Sequence, residues 1–244
     1  MANKTGISWT DSTINFWTGC SKVSEGCKYC YMFRDGERKG LNPTNVIKTT
    51  KMFYKALDWK RPRKIFTCSW SDFFIKEADE WRDDAWKVIK EANWHTWQIL
   101  TKRSERIIDC LPSDWGDGYD NVWLGVSVEN NARKYRIDEL RAIPAKLKWV
   151  SFEPLVGKIT NLDLAEIDWV VIGGESGEET GKYRYREAKT EWFNDIIDAC
   201  NKYDVKIFVK QMGSYISKKM EMSDSAGTSV NEFPAELRLR DFPT

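Results

Sequence analysis

Short apolar runs recur along this chain, separated by segments with helical periodicity, and that alternation narrows the fold to one class. The runs are KIFTCS (64–69), TWQILTK (96–102), VWLGVSV (122–128), KWVSF (148–152), DWVVIGG (168–174) and KIFVKQ (206–211). They are rich in Val, Ile, Phe and Trp and mostly lack polar alternation, as strands buried on both faces do. Between them, residues 77–93 place Trp81, Ala85, Val88, Ile89 and Ala92 on one face. That segment has acids early and lysines late, which suits the helix dipole. Residues 130–143 form a second helical pattern stopped by Pro144, and Thr190 reads as the N-cap of a third, with Trp192, Phe193, Ile196, Ile197 and Cys200 as its apolar stripe. A β-α-β repeat of roughly 20–40 residues implies parallel strands with crossovers. With a further strand near residues 14–18, the expected fold is α/β: a partial, open β/α barrel of parallel strands over residues 1–213. Residues 214–244 are polar and turn-rich and read as a loose C-terminal extension.

Apolar residues make up 41% and aromatics 14% of the 244 residues, which excludes global disorder and allows a substantial core. A net charge of +1 gives the whole molecule little electrostatic steering. Residues 48–64 (KTTKMFYKALDWKRPRK) depart from that balance, with seven basic residues and one acid interleaved with Phe53, Tyr54 and Trp59. Such a segment is either a solvated surface or a phosphate-contacting patch for a nucleic acid or nucleotide. MANKTGISWTDST lacks an apolar signal core, and no apolar run approaches the ~20 residues of a membrane span. A cytoplasmic location is expected, where disulfides are disfavoured and clustered cysteines point to metal or redox chemistry.

Ligands of parallel α/β folds bind at the carboxyl ends of the strands. Here those ends carry Cys68 to Asp72, Thr101-Lys102-Arg103, Ser127 to Asn130, Glu153-Pro154, Gly173-Gly174-Glu175-Ser176 and Lys210-Gln211. A ring of hydroxyls, carboxylates and lysines of this kind reads as a pocket. The Gly-Gly pair would let backbone N–H groups approach a ligand, although a turn after a strand accounts for it as well.

The stretch TGCSKVSEGCKYCY (18–31) adds Cys20, Cys27 and Cys30 with the spacing C-x6-C-x2-C. Structural zinc needs four ligands. The chain has no second C-x2-C pair and a single histidine, His95. Three thiolates suit an iron–sulfur cluster better, since they hold three irons and leave one open.

In these features the chain resembles the radical S-adenosylmethionine superfamily: three cysteines after the first strand, an aromatic residue (Tyr29) before the last of them, and a partial α/β barrel. The superfamily's usual spacing is C-x3-C-x2-C, and its Gly-Gly-Glu follows an earlier strand than Gly173-Gly174-Glu175 does here. Within the superfamily the chain is most similar to a phage and prophage three-cysteine-motif family, through WTGCSKVSEGCKYCY, SDFF, LTKR, WLGVSVEN, SFEPL, WVVIGGESG and FVKQMG, spanning residues 8–213. The strand ends TCS, LTK and GVS also look like those of spore photoproduct lyase.

The resemblance implies a 4Fe–4S cluster on Cys20, Cys27 and Cys30, with S-adenosylmethionine on the open iron. It implies a 5′-deoxyadenosyl radical acting on a nucleobase or nucleotide, such as a base of phage DNA, in an isomerase or lyase reaction fed by an external electron donor. Tyr29 would contact the adenine, Lys102 would pair with the methionine carboxylate, and Ser69, Ser127 and Glu129 would bind the cofactor. Cys68 would return a hydrogen atom to the product or, alternatively, is a small buried residue. Glu175 would face the substrate. Two other readings stand beside this one: a non-catalytic zinc- or cluster-stabilised binding module of a phage system, and a radical enzyme acting on a peptide or small metabolite.

Overall fold

Strands form where the sequence carries its apolar runs in the computed structural model, which describes residues 5–243. They are β1 (Ser12–Ile14), β2 (Trp17–Thr18), β3 (Ile47–Lys48), β4 (Lys64–Thr67), β5 (Thr96–Thr101), β6 (Val122–Ser127), β7 (Leu147–Leu155), β8 (Trp169–Gly174) and β9 (Lys206–Gln211). Seven of them follow one another in the order β1-β4-β5-β6-β7-β8-β9. β2 and β3 pair only with each other, antiparallel. The chain is therefore α/β with an open parallel sheet, the class of a partial β/α barrel. Among the described residues no helix is long and apolar enough to cross a membrane.

The chain divides into two compact units. The first takes Met1–Val23, Met32–Val126 and Ala142–Leu147. In it β1, β4, β5 and β6 pair in parallel, with Ser12 opposite Ile65, Lys64 opposite Thr96, and Trp97 opposite Val122. Its core is aromatic. Phe16, Trp17, Phe53, Phe73, Trp86 and Trp97 are all buried, and Phe16 stacks on Trp97 at 5.7 Å between ring centroids. α1 (Tyr31–Arg38) follows the cysteine loop, and α2 (Asp79–Glu91) buries Ala85, Trp86, Val88 and Ile89. Trp81, expected on that buried face, is half-buried, and Arg82 is buried instead. Its guanidinium donates to the carbonyls of Phe73 (3.0 Å) and Ile75 (2.6 Å) and to Asp79 (2.6 Å). The loop before the helix thus has its carbonyls satisfied by a side chain, which an apolar-stripe argument overlooks.

His95 closes the same unit. Its Nε2 lies 3.1 Å from the Ala56 carbonyl, to which it donates, while Nδ1 is buried without a hydrogen-bond partner among Trp59, Trp94 and Trp97. Burial holds its pKa below the ordinary histidine value, and the nearby charge of Arg63 acts in the same direction. An unfolded histidine titrates near ~6.5. The unfolded chain therefore takes up the proton first, and folding stability is expected to fall as pH drops below about 6.5 toward the lower folded value. Urea unfolding across this pH range measures the slope. A His95→Gln variant is expected to flatten it, and an unchanged slope would assign the effect to other groups.

The second unit takes Ser24–Tyr31, Ser127–Arg141 and Lys148–Thr244. β7, β8 and β9 pair in parallel, with Trp149 opposite Trp169 and Trp169 opposite Lys206. α3 (Tyr135–Arg141) begins later than the pattern over 130–143 suggests, because the Asn130 side chain caps a 3-10 turn over Asn131–Arg133. α4 (Thr190–Tyr203) buries Phe193, Ile196, Ile197 and Cys200 as expected, whereas Trp192 of the same stripe is only half-buried, and the helix ends at Asp204 in the left-handed conformation. Thr190 is its first helical residue rather than its cap, and Lys189 stands at the cap position without a side-chain bond.

The C-terminal residues are not loose. After α5 (Ser214–Lys219), Leu237 and Phe233 are buried. Residues 239–241 run antiparallel beside β9, with the Val209 N–H on the Leu239 carbonyl at 2.9 Å and the Asp241 N–H on the Ile207 carbonyl at 2.8 Å. Phe242 stacks on Trp169 at 5.5 Å. Polar composition did not reveal that apolar residues at wide spacing, Phe233, Leu237 and Phe242, anchor the segment.

Candidate functional site

In the first unit, the carboxyl ends of β4 and β5 meet on Asp72, a buried carboxylate. One oxygen accepts from Thr101 Oγ1 (2.7 Å) and the Phe74 N–H (3.0 Å), and the other from the Lys102 N–H (2.9 Å) and Arg103 Nη1 (3.1 Å). Arg103, also buried, reaches on to the Ser21 carbonyl (3.0 Å) and hydroxyl (2.8 Å), and its two terminal nitrogens lie 3.9 and 4.0 Å from Cys20 Sγ. Ser69 exchanges hydrogen bonds with the Asn15 amide at 3.2 and 3.4 Å. Cys68, also at the end of β4, is buried with a φ of +58° and its N–H on the Ile14 carbonyl. Burial pushes its thiol pKa far above the ordinary value, which is the setting of an inert structural cysteine.

The second unit repeats the device with other residues. Glu129 is fully buried. It pairs with Arg136 Nη1 at 3.0 Å and accepts from Ser24 Oγ at 2.6 Å, while Arg136 also donates to the Ser127 carbonyl at 2.7 Å. Gly26 lies so close that a Cβ there would stand 2.4 Å from Glu129 Cγ. Cys27 Sγ is 3.7 Å from the same Ser24 hydroxyl. Glu175 is enclosed by Arg186, which donates its backbone N–H (2.9 Å), Nε (2.8 Å) and Nη2 (2.5 Å). Arg186 also lies 5.3 Å from the Tyr29 ring, and Arg184 Nε donates to the Tyr29 hydroxyl at 3.4 Å. That hydrogen bond, with the neighbouring cations Lys28, Arg184 and Arg186, lowers the Tyr29 pKa. The glycine pair that ends β8 answers to packing, because a Cβ on Gly174 would fall 2.2 Å from the Met212 carbonyl.

These contacts overturn the chemistry expected from the cysteine spacing. Among the described residues, no group of three or more His, Cys, Asp or Glu side chains is arranged to hold a metal ion. Cys20 has the fixed guanidinium of Arg103 beside it, and Cys27 is buried against Ser24. All six cysteines are free thiols. The resemblance to the radical S-adenosylmethionine superfamily, to the three-cysteine-motif family and to spore photoproduct lyase is therefore corrected, and so are the 4Fe–4S cluster, the S-adenosylmethionine cofactor and the isomerase or lyase activity that it implied. The zinc- or cluster-stabilised module and the radical enzyme on a peptide or metabolite fall on the same finding. Tyr29, Ser69, Lys102, Ser127 and Glu129 lose the cofactor that would have occupied them, and Cys68 and Glu175 lose their catalytic context. Glu129 and Glu175 instead have their oxygens committed to buried or half-buried arginines.

Residues 48–64, in the first unit, are the remaining candidate surface. The structure sorts their seven basic side chains. Lys48 pairs with Asp84 (3.1 Å), Lys55 with Asp58 (2.9 Å), and Arg63 lies 4.5 Å from the Trp59 ring and donates to Ser12 Oγ (3.0 Å). Lys64 opens β4, with its N–H on Asp11 at 2.7 Å. Among the described residues Lys51, Lys60 and Arg61 are exposed and meet no carboxylate. Of the aromatics, Phe53 and Trp59 are buried and only Tyr54 is exposed, at 52%. Two side chains from outside the segment bond to its backbone: His95 Nε2 to the Ala56 carbonyl at 3.1 Å and Trp94 Nε1 to the Trp59 carbonyl at 2.8 Å. Trp94 itself is 38% exposed. The run of basic residues made the segment visible in the sequence; Trp94, which belongs to a different stretch, had no such signal.

A family model described as "Protein of unknown function (DUF5131)" matches residues 4–233. Comparison with curated proteins and with solved structures finds no match.

Proposed function

The chain belongs to that family of unknown function, so no activity carries over to it, and we propose one from its own surface: it binds nucleic acid through the phosphate backbone, using residues 48–64. The observation that carries this reading is the set of Lys51, Lys60 and Arg61, three exposed cations without carboxylate partners on a segment pinned to the core by Phe53 and Trp59. Exposed cations on a fixed backbone contact phosphates without first giving up an internal ion pair, and each contact releases condensed counterions.

Fluorescence anisotropy of a labelled oligonucleotide tests the reading. Three phosphate contacts give a slope of about −2 to −3 in log K against log salt, so a fourfold rise in salt weakens binding roughly 15- to 60-fold. A Lys51→Glu, Lys60→Glu, Arg61→Glu variant is expected to lose binding and its salt dependence. An oligonucleotide affinity that the triple variant leaves unchanged would place the contact elsewhere and end the proposal.

A further inference from the structure

We infer that the nucleic acid this surface takes is single-stranded, and that Trp94 is the platform on which an unpaired base stacks. The inference rests on the nucleic-acid reading above and adds to it a strand class and a residue outside the basic segment.

The argument starts from an indole in an unusual position. Of the rings around His95, Trp59 and Trp97 are buried, whereas Trp94 keeps 38% of its surface exposed. It is not a loosely held surface side chain. Its Nε1 donates to the Trp59 carbonyl at 2.8 Å, and its ring lies 5.2 Å from the ring of His95. The polar atom is thus used inward, while more than a third of the residue stays open to solvent. The carbonyl that holds it belongs to the residue directly before Lys60 and Arg61, so the indole is fixed to the backbone next to two exposed cations. Tyr54, at 52% exposure, adds a second open ring on the same segment.

An exposed aromatic ring next to phosphate-binding cations is the arrangement that single-strand binders use. The cations follow the backbone while the ring takes the face of a base, and every base has such a face. In a duplex both faces of each base are covered by its neighbours, so the ring would gain nothing and only the phosphate contacts would remain. The fixed indole also spares much of the ordering cost that a mobile side chain meets on binding.

The experiment compares one labelled oligonucleotide, single-stranded or annealed to its complement, on four proteins: wild type, Trp94→Ala, Trp94→Phe, and the triple charge reversal. For wild type, the single strand is expected to bind at least about tenfold more tightly than the duplex. Trp94→Ala is expected to weaken single-strand binding about 10- to 100-fold while leaving duplex affinity and the salt slope in place, and Trp94→Phe, which keeps a stacking ring but loses the bond to Trp59, is expected to restore most of it. Equal affinity for both forms, or equal loss of both on Trp94→Ala without rescue by phenylalanine, overturns the role of Trp94 while the charge reversal still reports on the phosphate surface. Loss of neither form on charge reversal instead ends the underlying reading. Ultraviolet cross-linking of the wild-type protein to a bromouracil-substituted single strand needs no variant. An adduct on Trp94 supports the inference, and adducts confined to other residues overturn it.

Discussion

Replacing Glu129 by alanine is expected to lower the unfolding free energy by about 3–5 kcal/mol, because it leaves the Arg136 guanidinium buried without its carboxylate. The pair is enclosed on both sides, with 1% of the Arg136 side chain and none of the Glu129 side chain exposed. Solvent therefore cannot replace the lost partner, and Arg136 Nε already lacks an acceptor. Glu129 also receives the Ser24 hydroxyl, so the turn Glu25–Cys27 loses its anchor in the same variant. The loss comes from an uncompensated charge rather than from the intrinsic value of the pair. A Glu129→Leu, Arg136→Met double variant is accordingly expected to recover much of it. Urea unfolding midpoints of the three proteins check both statements. A single variant as stable as wild type would show that Arg136 finds water or another acceptor.

Asp72→Ala is the second large effect, again about 3–5 kcal/mol, by the same reasoning. Its carboxylate serves four donors from three places in the chain: its own turn at Phe74, the end of β5 at Thr101 and Lys102, and the side chain of Arg103. Truncation leaves two backbone N–H groups without this acceptor and the buried Arg103 guanidinium without its carboxylate, with its contacts to Ser21 and Cys20 remaining. Asp72→Asn is expected to lose less, since one amide oxygen still accepts while the charge and one acceptor are gone. Denaturant unfolding that ranks alanine well below asparagine, and asparagine below wild type, supports the account. Alanine and asparagine at the same midpoint would mean that charge alone matters there.

Strand positions were legible because burial on both faces writes itself as continuous apolar runs, and the α/β class follows from their alternation with helices. The α2 and α4 stripes were legible for the same local reason. What surrounds the thiols was not. Spacing places Cys20, Cys27 and Cys30 near one another in the chain, but the groups that decide their chemistry arrive from far away, Arg103 from 83 residues on and Glu129 from 105 residues beyond Ser24. A count of cysteines carries no information about either. The strand-end ring of polar residues was real as a list, yet its carboxylates at Asp72, Glu129 and Glu175 are each committed to an arginine. Of those arginines, Arg136 lay inside a segment read only for its helical length, and Arg186 in a loop with no pattern. The basic segment was legible as composition, but the three side chains left open to solvent emerged only once Asp84, 36 residues from Lys48, was in place.

The C-terminal residues beside β9 cover the free edge of that strand. An exposed terminal strand offers a row of N–H and carbonyl groups on which a foreign strand can grow. On β9 those groups at Ile207 and Val209 are already taken by Leu239 and Asp241 of the same chain. The segment thus acts as an end-stop against sheet extension. A strand from elsewhere would first have to displace this segment, which is held by buried Leu237 and by Phe242 stacked on Trp169.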